Sequence, residues 1–277
     1  MKKILFPTDF STSSENAFIY ALEFAAKLKA EIVVLHTYEV PIVVDNQLFP
    51  EMIMELYNST ELGEFDYFKD KIATLRSIAA HRKLEKIALS HLLLDGDLLL
   101  NIKKAVKKEA IDFVIMGTNG ASGWQEFFLG SNAGAVITDC EVPVLSIPVE
   151  SKYEKIETIG FTTCYNDKDV VALQKVLQVA KKMGATVKCL HVTTKDATVS
   201  NETISKFETN FKGAPVRFTI LSGEDIKQTI KDFIIGEGID MLAMLTYKRN
   251  FFQELFDHSM TQKLAYHLKT PLLALHE

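Results

Sequence analysis

Short apolar runs alternate with amphipathic stretches of helical period along the first half of the chain. Residues 4–7, with Ile4, Leu5 and Phe6, predict a first strand that ends in Pro7. Thr12-Ser13-Ser14-Glu15 then predicts a capping box, with Thr12 as the N-cap and Glu15 reaching back. In the helix that follows, Ala17, Tyr20, Ala21, Phe24, Ala25 and Leu28 recur at spacings of three and four, which gives one face for packing on a sheet. Residues 31–36 predict a second strand, so the unit is a right-handed βαβ crossover. From 39 to 59 the pattern is irregular, punctuated by Pro41, Asn46 and Pro50, and reads as an excursion over the sheet edge. A helix over 61–82 carries Leu62, Phe65, Phe68, Ile72, Leu75 and Ala79 on one face. Strand three covers 87–94. Gly96 turns the chain, and Asp97 caps a helix through Glu109 with Leu98, Ile102, Ala105 and Val106 inward. Residues 111–116, around Phe113, Val114 and Ile115, read as a buried parallel strand. A helix from Ser131 and a strand over 142–147 complete an α/β order whose solution is an open parallel doubly wound sheet.

After a short polar stretch at 151–154 the pattern starts again. With a shift of 155, Ile4 matches Ile159, Phe6 matches Phe161, Thr8 matches Thr163, Leu22 matches Leu177, Ala25 matches Ala180 and Leu35-His36 matches Leu190-His191. With a shift of 128, Ile111-Asp112 matches Ile239-Asp240, Gln125-Glu126 matches Gln253-Glu254, Ser131 matches Ser259 and Pro143-Val144-Leu145 matches Pro271-Leu272-Leu273. The difference between the two shifts is mostly a deletion of the 39–59 excursion. Two similar domains are therefore expected, at 1–150 and 151–277.

The candidate chemistry lies in Gly117-Thr118-Asn119-Gly120 and, further on, Gly130-Ser131-Asn132. Glycines after a strand are ordinarily a turn. Here the second pair opens a helix, whose first N–H groups lack intrahelical partners and attract anions. Gly117 and Gly120 allow backbone angles closed to other residues and close approach of a ligand, and the Ser131 hydroxyl can donate to a phosphate oxygen. The copies differ here. Asp9 falls opposite Cys164, Gly117 opposite Leu245, Gly120 opposite Lys248 and Gly130 opposite His258, so an intact nucleotide site is expected in the first domain and a degenerate one in the second.

The pattern Gly-x2-Gly-x9-Gly-Ser resembles the ATP-binding signature of the universal stress protein family. The resemblance extends to Lys2-Lys3-Ile4-Leu5-Phe6-Pro7-Thr8-Asp9-Phe10-Ser11, similar to that family's first strand and aspartate, and to Val142-Pro143-Val144-Leu145, similar to its last strand. It implies two tandem adenine nucleotide alpha-hydrolase-like, Rossmann-like domains. By resemblance, Pro7, Thr8, Asp9 and Thr37 lie around the adenosine end, and Met116, Gly117 and Gly120 flank the ribose and phosphates. Gly130, Ser131, Asn132 and Ala133 hold the phosphates. The implied ligand is ATP or another adenine nucleotide, with Mg²⁺ placed by Asp9 as one reading of that residue and a plain turn role as the alternative. The family often carries a basic residue where Asn119 stands. In the family the last strand commonly pairs two domains, which implies an intrachain pseudo-dimer, with a homodimer as a further possibility.

Composition narrows the function. With 31 Lys and Arg against 36 Asp and Glu, a net charge of -5 and no basic block, nucleic-acid binding is not expected. No apolar run reaches 18 residues, and Pro7 and Asp9 break up the start, so no membrane span is expected and the location is read as cytoplasmic. Cys140, Cys164 and Cys189 are isolated and read as buried small hydrophobes. His36 and His191 occupy matching places in both copies, which favours a structural role. No HExxH, GxSxG or GxxxxGK[ST] pattern occurs, so binding without fast turnover is expected. A slow ATPase and a scaffold with a vestigial site are the alternatives. Trp124, Phe127 and Phe128 between the glycines read as core or as a lid. The excursion reads alternatively as a seat for an apolar ligand or a neighbouring subunit.

Overall fold

The computed structural model describes residues 2–40, 50–118, 131–194, 198–246 and 270–276, with backbone alone at 50, 51, 53, 56 and 131–133. In chain order the first half contains β1 (Lys2–Pro7), α1 (Thr12–Leu28), β2 (Ala30–Tyr38), α2 (Pro50–His81), β3 (Leu89–Asp95), α3 (Leu98–Lys108), β4 (Phe113–Gly117), α4 (Ser131–Asp139) and β5 (Val144–Ile147). The second half contains β6 (Thr158–Thr162), α5 (Asp167–Met183), β7 (Thr186–Thr193), α6 (Asn201–Thr209), β8 (Val216–Ser222), α7 (Ile226–Gly236), β9 (Met241–Leu245) and β10 (Leu272–Leu275). All ten strands form one sheet, in the order β3-β2-β1-β4-β5-β10-β9-β6-β7-β8.

Alternation along the strands explains the two cores. Ile4 and Phe6, Ile32 and Val34, and Phe113 and Ile115 point to the face covered by α1, α2, α5 and the Phe207 end of α6. Leu5, Val33, Leu35, Val114 and Met116 point to the opposite face, under α3, α4 and α7. Strands buried on both faces read as continuous apolar runs, and the parallel arrangement needs helices on both sides.

Every strand pair is parallel except the middle one, where Leu272, Leu273 and Ala274 of β10 face Ser146, Leu145 and Val144 of β5 in antiparallel register. The Ser146 hydroxyl donates to the Leu272 carbonyl at 3.2 Å inside this seam. Two inner edges that would otherwise present unpaired backbone are thereby covered.

Several local expectations are corrected. The N-cap of α1 is Ser11, not Thr12: its side chain accepts from the Ser14 N–H. Asp9 holds Ser11 in the cap position, because Oδ1 accepts from both the N–H and the hydroxyl of Ser11 at 3.1 and 2.7 Å. The excursion does not run to residue 59, since α2 is already helical at Pro50, a residue suited to a first helical turn; residues 41–49 lie outside the described residues. Leu62 and Phe65 are exposed, whereas Phe68, Ile72, Leu75 and Ala79 on the same helix are buried. Cys164 is exposed, unlike Cys140 and Cys189. Asp97 caps α3 as expected, accepting from the Leu100 N–H at 2.8 Å.

The stretch between the halves is fixed to the first one. The hydroxyls of Tyr20 and Ser151 are 2.6 Å apart, Tyr20 also donates to the Lys152 carbonyl at 3.1 Å, and Tyr153 stands edge-on to Tyr20 with ring centroids 4.9 Å apart. Arg82 lies over the Tyr153 ring and reaches Glu23 at 2.6 Å. Burial first, and the Glu23 carboxylate second, push the Tyr153 phenol from 10.0 up to about 12, and burial raises Tyr20 too. The folded state thus favours the neutral phenols. The contribution of Tyr153 is complete below pH 10.0 and is lost as pH rises through about 12. Alkaline titration of tyrosinate absorbance is expected to show a group near 12 that vanishes in Tyr153→Phe. A profile unchanged by that substitution would show that Tyr153 is not the group held back.

Candidate functional site

In a half-sheet ordered β3-β2-β1-β4-β5 the direction of winding reverses between β1 and β4, which opens a crevice at their carboxyl ends. Pro7 ends β1 and is buried, and Thr8, also buried, donates its N–H to the Leu35 carbonyl at 2.9 Å. Asp9 is exposed at the crevice. Thr37 lies near the end of β2, opposite Leu94. On the other wall Met116 is buried toward α3 and α4, and Gly117 ends β4 opposite Ile147. Thr118 is buried and donates its N–H to the Ile147 carbonyl at 3.0 Å. The structure thus brings Pro7, Thr8, Asp9, Thr37, Met116 and Gly117 to one end of adjacent strands. Gly120, Gly130, Asn119, Trp124, Phe127 and Phe128 lie outside the described residues. Ser131, Asn132 and Ala133 form the first turn of α4, which runs antiparallel to β5 and so begins at this same end of the sheet.

The crevice floor is a hydroxyl cluster that the sequence pattern did not single out. Thr8 Oγ1 and Ser14 Oγ are 2.6 Å apart, and Ser11 Oγ and Ser13 Oγ are 2.9 Å apart. The signal for it in the sequence is the run Ser11-Thr12-Ser13-Ser14 directly after Asp9. Thr8 Oγ1 also accepts from the Phe10 N–H at 3.0 Å, holding Phe10 at φ 58°, a left-handed conformation that a bulky residue seldom adopts. His36 is buried with Nδ1 2.7 Å from the Thr8 carbonyl, while Nε2 stands 3.9 Å from Glu64. The histidine therefore ties β2 to the β1 turn.

At Gly117 the expectation of a special backbone angle is corrected. Its φ is not among the positive values, and a Cβ there would lie 3.3 Å from the Ser13 carbonyl oxygen. Close passage of β4 against the first turn of α1 favours the small residue, since a side chain there would press on the Ser13 backbone.

The second half repeats this frame almost atom for atom. Thr163 donates its N–H to the Leu190 carbonyl, His191 Nδ1 lies 2.8 Å from the Thr163 carbonyl, and Tyr165 repeats the left-handed turn at φ 60°. Thr246 donates to the Leu275 carbonyl through both N–H and hydroxyl at 2.8 Å, as Thr118 does to Ile147. Asp169 replaces Ser14. Fully buried, its Oδ2 accepts from the Thr163 hydroxyl, the Cys164 N–H and the Asn166 N–H at 2.9, 2.7 and 3.4 Å. An internal carboxylate thus occupies the start of α5. Desolvation of the sulfur first, and Asp169 second, push the Cys164 thiol up, so it is not poised as a thiolate. Among the described residues, no group of three His, Cys, Asp or Glu side chains is arranged to hold a metal ion, and no helix is long and apolar enough to cross a membrane.

Comparison with known proteins agrees with the fold. The sequence model of one family, described as the universal stress protein family, matches residues 1–148. Universal stress protein MJ0577 of Methanocaldococcus jannaschii is 27% identical over 152 residues, covering 53% of this chain and 94% of that protein. The crystal structure of a universal stress protein from Archaeoglobus fulgidus aligns with 99% of this chain and 98% of its own, at a TM-score of 0.69 and 19% identity. A putative universal stress protein from Pseudomonas aeruginosa aligns with 100% of this chain and 93% of its own, at a TM-score of 0.59 and 12% identity. At these identities the two structures speak for the fold alone.

Proposed function

The chain belongs to the universal stress protein family, and on that footing we propose that it is a cytoplasmic nucleotide-dependent stress-response or signalling protein that binds ATP in a first domain, residues 1–150. In this reading residues 151–277 form a second domain with a degenerate site, and the β5–β10 seam makes the two an intrachain pseudo-dimer.

The observation that carries the reading is the contrast between two crevices of one frame. The first has an exposed carboxylate at Asp9, the hydroxyls of Ser11 and Ser13 and the glycine end of β4. The second has Cys164, the buried Asp169 and, in place of Gly117, Leu245, which is 3% exposed. This donor set fits a nucleoside triphosphate: the carboxylate and hydroxyls suit sugar and base, and the amides of the α4 start suit phosphate. Bound ATP would supply the polyphosphate charge, and Mg²⁺, if recruited beside Asp9, would neutralise part of it. Asp9 Oδ1 already holds Ser11, so the turn role of Asp9 stands whether or not a cation is recruited. Pro7, Thr8, Thr37, Met116, Gly120, Gly130, Ser131, Asn132 and Ala133 remain the other proposed contacts. Binding without efficient turnover is part of this reading, because the sequence has no GxxxxGK[ST] motif.

The test uses protein isolated without added nucleotide. Denaturation and mass identification of any released small molecule, followed by calorimetric titration of the emptied chain with ATP, are expected to give about one adenine nucleotide per chain, lost in Gly130→Glu. Two per chain would overturn the silent second domain. None would leave a scaffold, and phosphate release abolished by Gly130→Glu would make the protein a slow ATPase.

A further inference from the structure

Helix α2 is out of proportion to the sheet it serves. At 32 residues it spans about 48 Å, whereas β3, to which it leads, has 7 residues and spans about 23 Å. Because α2 runs antiparallel to β3, the surplus projects past the carboxyl ends of the strands. Its counterpart α6 has only 9 residues and no such extension.

Among the described side chains the projecting part, from 52 to 67, has none that is buried. Yet Met52, Met54, Tyr57, Leu62, Phe65 and Tyr67 are among the large apolar side chains left exposed, with Leu62 at 66% and Phe65 at 55%. Met54 and Phe65 lie on the line that, further along the helix, contains the buried Ile72, with Asn58 and Glu61 at the turns between them, so large apolar side chains recur on the core-facing line beyond the core. Such recurrence calls for a cover that the sheet does not provide.

Charge says what kind of cover. Residues 50–68 contain Glu51, Glu55, Glu61, Glu64 and Asp66 and no lysine, arginine or histidine. A second copy of the same stretch would bring like charges together, and anionic lipid would be repelled. The complementary surface is apolar and basic. We propose that the projecting half of α2 is a docking site for a basic amphipathic helix of a partner protein, laid along the helix with its apolar residues between Met54, Leu62 and Phe65 and its cations on the flanking carboxylates. The unbranched methionines adapt to a range of apolar faces. Glu64 on this stretch approaches His36, which bonds the turn after β1, so a docked helix lies one side chain from the crevice. The proposal stands whether or not that crevice holds a nucleotide.

Fluorescence anisotropy of a labelled 18-residue Leu/Lys amphipathic helical peptide, titrated with the whole chain, tests it. Binding is expected to weaken at least tenfold in Leu62→Ser/Phe65→Ser and again in Glu55→Lys/Glu61→Lys, with unchanged far-UV circular dichroism because all four side chains are exposed. A Glu-for-Lys version of the peptide is expected not to bind. Equal binding of the two peptides, or affinity unaffected by both double variants, would overturn the site. So would sedimentation showing a dimer that Leu62→Ser/Phe65→Ser disperses, since the stretch would then be covered by a second copy.

Discussion

Leu273→Asp is expected to lower the unfolding free energy by more than ~4 kcal/mol. Leu273 is completely buried at the centre of β10, between Ala243 of β9 and Leu145 of β5. Loss of the leucine forfeits about 2–3 kcal/mol of burial, and the new carboxyl group enters a site lined by apolar side chains. There it must stay charged without a partner or take up a proton, and either costs more. Leu273→Ala removes only the first contribution and the packing around it, so its effect is expected to be smaller, about 2–4 kcal/mol. Urea titrations followed by far-UV circular dichroism measure both. Because the sheet is continuous through the seam, one transition is expected, shifted as a whole. Two transitions, of which only the later half of the chain moves, would show that the seam does not couple the halves.

The second large effect is expected at Asp169. Its replacement by alanine strands the Thr163 hydroxyl and the N–H groups of Cys164 and Asn166 at the start of α5. Hydrogen bonds to a charged group contribute more than neutral ones, and the buried Thr163 hydroxyl left without its acceptor bears a desolvation penalty, so a loss of about 3 kcal/mol is expected. The capping box is lost with it, because Asp169 is also the residue that reaches back to the Asn166 N–H. Asp169→Ser restores the residue found at the same place in the first half, where Ser14 meets Thr8, and is expected to recover about half of the loss. Thermal denaturation of the two variants decides the matter. Equal stability of Asp169→Ala and the parent chain would mean that the buried carboxylate does not anchor the turn.

The two substitutions bracket how the halves relate. At the seam, apolar contacts and backbone pairing make one sheet from two windings. At the crevices, one frame of Thr, His and left-handed aromatic residue is kept twice, while the residues pointing outward from it diverge. A fold can be retained in this way where the surface chemistry is not, because the frame is buried and the outward positions answer only to a ligand or to water.

The sequence by itself determined the elements and their doubling. In residues 1–147 apolar runs and periodicity located the strands and helices, since burial on one face or on both leaves a period that no tertiary detail can erase. The matched pairs Thr8 and Thr163, and His36 and His191, predicted the repeated frame because each pair makes the same bonds over the same local separation. What only the tertiary structure decided were contacts between segments distant in the chain. Leu62 and Phe65 share the pattern of Phe68 and Ile72, but the sheet ends beneath them, and a helix pattern carries no record of sheet length. Gly117 is favoured by the close approach of Ser13, 104 positions away, rather than by its own backbone angle. The cap of α1 passed from Thr12 to Ser11 because Asp9, at the end of β1, holds Ser11 in place. The register of β5 on β10, and with it the order of all ten strands, depends on which edges meet, and that is settled by burial of backbone and side chains together rather than by either strand alone.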